Sequence, residues 1–164
     1  MNQYQSDENQ SLRTGAIAML IGALSFIGYA IVFFFRNFSG QGFELGVETI
    51  NGVTRAQLNS LSPAIVPYIG HLHVATAGFI AATGIAVAAL AWYGVRRGVW
   101  WAWTTAVVSP VVGLAVALPL HYTSGFTYEW LTHLGPIYLG TLVFVIGAVI
   151  ALKGLLQQRS RSQI

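Results

Sequence analysis

Thirteen charged side chains stand in 164 residues, and their positions leave charge-free stretches of 22 (14–35), 40 (56–95), 31 (98–128) and 23 residues (130–152). That spacing constrains the fold more than any other feature of the chain. A helix rising 1.5 Å per residue needs ~20 apolar residues to cross a bilayer's hydrocarbon core, and each stretch can supply them. Only 8% of the chain is charged and 55% is hydrophobic, against about 25% charged for an ordinary soluble domain. A disordered chain needs high charge and few apolar residues, so that class is excluded. The sequence predicts an all-α integral membrane protein, a four-transmembrane-helix bundle in one domain, multi-pass in the cell membrane.

The predicted spans are residues 14–35, 63–94, 99–121 and 133–156, with polar tails at 1–13 and 157–164. The first span is read as retained rather than cleaved, because it is longer than a signal-peptide apolar region and lacks a clean small-x-small site after it. Residues 37–62 form the long connection; Thr54 is placed to cap a short helix through Leu61. Ser62-Pro63 reads as a helix start, Gly94–Gly98 as a tight turn, and Trp100, Trp101 and Trp103 as an interfacial aromatic belt. Pro110 and Pro119 are expected to kink the third span.

With four spans both termini share a side. That side carries Arg13, Arg96, Arg97, Lys153, Arg159 and Arg161, and the other carries Arg36 and Arg55. The excess of basic residues places both termini in the cytoplasm and the long loop outside. The net charge of +3 is spent at span ends, so no basic patch is left for nucleic acid. Expected partners are the lipid bilayer and other membrane subunits, or a second copy.

Packing leaves its own pattern. The second span carries Ala77, Ala81, Gly84, Ala88 and Ala91, and the fourth carries Gly140, Gly147 and Gly154 seven apart. Small residues let helix backbones approach in lipid, where hydrophobicity does not drive association.

Chemistry is confined to four histidines. The chain has no cysteine, which excludes iron–sulfur clusters, thiolate zinc sites and thioether-linked haem. His71 and His73 begin the second span, His121 ends the third and His133 opens the fourth. Counted back from the terminal ends, all lie ~30–35 Å along their helices, near the outer edge of the hydrocarbon core. His73, His121 and His133 share the small-residue faces and are the preferred inward trio. His71 sits ~200° from His73 around the helix, so both cannot face one centre. Neutral imidazole ligates metals and haem iron; His73 and His133 are the pair for haem b, and Glu129, Glu44 or Glu48 could add a carboxylate to a metal site. Imidazole is equally an ordinary residue at a membrane interface.

Three readings follow. The chain is an accessory or structural subunit, or a self-associating bundle, of a membrane complex. Alternatively it is a redox, metal- or haem-binding membrane protein with an outward-facing histidine cluster. A small transporter or lipid-modifying enzyme has least support, because the predicted spans contain no Asp, Glu or Arg, and Lys only at position 153 near the end of the fourth.

Overall fold

A computed structural model describes residues 3–123 and 125–161. Its helices are α1 (Gln3–Ser39), α2 (Arg55–Leu61), α3 (Ile65–Ala89), α4 (Trp100–Thr123), α5 (Trp130–His133) and α6 (Gly135–Arg161). Four of them are long and apolar enough to cross a membrane: Asp7–Ser39, Ile65–Arg97, Trp100–Thr123 and Gly135–Arg161. The chain is a small all-helical membrane protein.

The long helices outrun the predicted spans, and side chains at their ends explain why. Residues expected as a polar tail continue α1 because Leu12 is buried against Gly154 and Glu8 meets Arg161 at 3.0 Å. Those contacts also hold α6 helical to Arg161. The extreme tail residues 1–2 and 162–164 lie outside the described residues. Residues 63 and 64 form a turn rather than the start of α3, which begins at Ile65 with Pro67 in its first turn, where no N–H is required. At its far end α3 widens into a π turn over Leu90–Gly94 and tightens into a 3-10 turn over Val95–Arg97. Gly98, at φ 74°, then reverses the chain. The fourth span is likewise not one helix from residue 133. Pro136 has no N–H to give the Thr132 carbonyl, and the ladder breaks at Leu134 between α5 and α6.

The core forms along α1, which packs against α6 on one side and α3 on the other. The α6 glycines lie on that seam, and α1 answers with Gly15 and Gly22, again seven apart. A Cβ on Gly147 would stand 2.6 Å from Met19 N and 2.7 Å from Gly15 O; one on Gly22 would stand 2.7 Å from Phe144 Cβ. Met19, Ala16, Ala23, Ala148 and Ala151 fill the space between. On the other side Gly84 of α3 lies under Ile27, with Ala77, Val87 and Ala91 also buried.

Helix α4 is the outlier. Only 6% of its most apolar window is buried, against 22–39% for the other three. Pro110 and Pro119 both lie inside this helix, which continues to Thr123. It is pinned near its start, where Ala102 and Ala106 are buried and the Trp103 indole donates to the Ala148 carbonyl of α6 at 3.0 Å. Trp103 therefore serves as an interhelix tie, while Trp101 remains exposed. Trp103→Phe keeps most of the ring and removes the donor, a loss of about 1 kcal/mol. The expected result is faster amide hydrogen exchange at residues 100–110 with α1 unchanged; unchanged exchange in α4 would show that the tie carries no load.

Candidate functional site

The histidine site lies at the end of the bundle opposite the termini, and a loop builds half of it. After α1 the chain turns at Gly40 and Gly42, both with positive φ, and Phe43 and Val47 are buried beneath it. Gly46, at φ 75°, rests on α5, where a Cβ would come within 3.0 Å of His133 N, His133 Cβ and the Glu129 carbonyl. The Gly46 carbonyl accepts from Glu129 N at 2.8 Å. Residues Ile50–Val53 then form a tight reversal, with Asn51 and Gly52 both at positive φ. The Asn51 side chain donates to Gly125 O at 3.0 Å and accepts from Thr127 N at 2.9 Å, tying the two loops of this end together. Thr54 and Gln57 form a reciprocal cap on α2. Arg55 donates to the carbonyls of Asn37 and Gly42, holding the loop to the end of α1.

This path delivers Glu44 to the histidines. Its Oε1 lies 3.3 Å from His73 Nε2, and its Oε2 lies 3.8 Å from His133 Nε2. His133 is wholly buried, its Nδ1 lies 2.7 Å from the Leu45 carbonyl, and its Nε2 has no hydrogen-bond partner. Phe33 of α1 packs on His73 at 5.0 Å between ring centroids. His121 lies 5.0 Å from His133, and Tyr128 lies 5.2 Å from it, with Phe126 completing an aromatic wall. The His121 Nδ1 is 3.0 Å from the Ala117 carbonyl of its own helix. A cleft of about 450 Å³ opens beside this wall, lined by Arg36, Leu45, Glu48, Tyr128, Glu129 and Thr132 among others.

The structure thus brings His73, His121 and His133 into one region, while His71 is exposed on the outside of α3. Glu129 is also exposed; its carboxylate accepts from the Thr132 hydroxyl at 2.7 Å, and Glu48 pairs with Arg36 at 2.7 Å. Glu44 is the carboxylate at the histidines because the glycine turns aim it inward. The signals in the sequence were Gly42 and Gly46 bracketing an apolar Phe-Glu-Leu segment, and Asn51-Gly52 as a tight-turn pair. Among the described residues no three His, Asp or Glu side chains enclose a metal position in this arrangement. The donors form two pairs that share Glu44.

No family model, characterised protein or solved structure matches the chain.

Proposed function

We propose that this membrane protein binds one cation between His133 and Glu44, with His73 as the third member of the site. The buried His133 Nε2 carries the reading. The Leu45 carbonyl can only accept, so the His133 Nδ1 carries the ring proton of the neutral form, and Nε2 presents a lone pair. Glu44 Oε2, also an acceptor, lies 3.8 Å from that nitrogen, which has no hydrogen-bond partner among the described residues. Two acceptors this close repel, and a buried one without a partner costs about 1–3 kcal/mol. One positive charge removes the conflict.

A divalent transition metal supplies that charge. Donors on one tetrahedral ion at ~2.0–2.1 Å stand about 3.3 Å apart; His73 Nε2 and Glu44 Oε1 already do, and His133 Nε2 would have to close in from 3.8 Å to Glu44 Oε2. The geometry favours a small cation over haem b. Axial imidazoles must face each other across iron, and here the Glu44 carboxylate stands between His73 and His133.

The test uses the purified protein in mild detergent. Titration with zinc and cobalt, followed by elemental analysis, is expected to give stoichiometric metal that His133→Ala abolishes. A protein that stays metal-free under this titration overturns the reading.

A second observation supports an assembly role. One exposed flank of α4 includes Gly113 and Ala117, one turn apart, residues small enough for close helix approach in lipid. We infer that a second copy of the chain packs there. Native mass spectrometry from nanodiscs is expected to show a dimer that Gly113→Leu dissociates; a wild-type monomer rules the arrangement out.

A further inference from the structure

The end that holds the termini carries a different feature, a shallow, largely open groove along the outer face of α6. It is lined by Val149, Leu152, Lys153, Leu156, Gln157 and Ser160. These positions step by three and one, so they form a single stripe on one helix face. The stripe lies away from Gly147, Ala151 and Gly154, which are buried and thus face the core.

The groove changes character along its length. Val149, Leu152 and Leu156 make its deeper part apolar, and Leu142, Val145 and Ile146 continue an exposed apolar surface towards the middle of the helix. At the other end stand Gln157 and Ser160, with the Lys153 ammonium between the two zones. Among the described residues Lys153 has no ion-pair or hydrogen-bond partner. A lysine with an apolar stem and an unpaired head near the edge of a span extends that head to the headgroup layer.

Surrounding charge selects the occupant. This end carries Arg13, Arg96, Arg97, Lys153, Arg159 and Arg161, against Asp7 and Glu8. Glu8 is engaged with Arg161 on the α1 side. Positive charge in excess attracts anionic headgroups.

We propose that this groove holds one anionic phospholipid. Lys153 binds its phosphate, the Gln157 amide offers a hydrogen bond to the headgroup, and one acyl chain lies over Leu152 and Val149. This site is independent of the histidine centre and stands or falls separately.

The experiment compares nanodiscs of phosphatidylcholine with and without phosphatidylglycerol, releasing the intact protein into a mass spectrometer and counting retained lipids. Wild type is expected to retain one phosphatidylglycerol. Lys153→Ala should weaken that retention about fivefold, the share of one basic residue at a charged headgroup. Arg97→Ala serves as the control, since Arg97 is exposed at the same end but does not line the groove; it should retain the lipid. Equal retention of phosphatidylcholine would mean annular lipid only and overturn the proposal. Retention unaffected by Lys153→Ala would overturn it, as would an equal loss in Arg97→Ala, which would assign the effect to the basic end as a whole.

Discussion

Gly147→Val will unseat α6 from α1. A Cβ at residue 147 would stand 2.6 Å from Met19 N, 2.7 Å from Gly15 O and 2.8 Å from Ala18 Cβ. Two of those atoms are backbone, so no side-chain rotation relieves the contact, and the helices must separate. Overpacking a well-filled core costs about 1–3 kcal/mol, and here the shift also opens the contacts of Met19, Ala148 and Ala151 that form the centre of the molecule. The expected result is a lowered thermal midpoint in detergent and poor recovery of folded protein. Gly78→Val is the matched control, because nothing lies within 4 Å of a Cβ there; it should leave the midpoint unchanged. Equal midpoints for the two variants would show that the glycine seam does not hold the fold together.

Glu44→Gln and His133→Ala are expected to separate the site's role from its structural support. Glutamine keeps an oxygen for His73 and can turn an amide N–H towards the unpartnered His133 Nε2. It completes the hydrogen bonding without a cation. The variant should therefore unfold at or above the wild-type midpoint while losing cation binding. His133→Ala removes a fully buried ring and leaves the Leu45 carbonyl without its 2.7 Å partner. Cavity and lost bond together predict a destabilisation of about 2–5 kcal/mol, with faster hydrogen exchange across residues 43–47. If Glu44→Gln is instead strongly destabilised, the carboxylate is a structural acceptor and the cation has no place in the site.

Much of the architecture was legible in the chain because lipid makes simple demands. A span must be long, apolar and internally hydrogen-bonded, so the placement of charges marked the four long helices. The heptad of Gly140, Gly147 and Gly154 signals a close seam, and Gly15 and Gly22 on the opposing helix repeat the same seven-residue step. The level of the histidines followed from counting residues at a fixed helical rise. Helix ends were less legible. Leu12, Glu8 and Arg161 extend α1 and α6 through contacts with each other, and no local pattern shows a contact between residues more than a hundred positions apart.

The sequence by itself determined that this is a helical membrane chain with its histidines near one level, since hydrophobic length and helical rise are properties of each segment alone. Only the tertiary structure decided which groups meet there. Three acidic residues lie in the long loop and one short loop as candidates beside the histidines, and spacing cannot rank Glu44, Glu48 and Glu129. The path of the loop ranks them: positive-φ turns at Gly42 and Gly46 press Phe43 and Val47 inward and bring Glu44 between His73 and His133, while Arg36 and Thr132 engage the other two. A loop's course depends on what it packs against, and that surface exists only once α1, α3 and α6 have assembled.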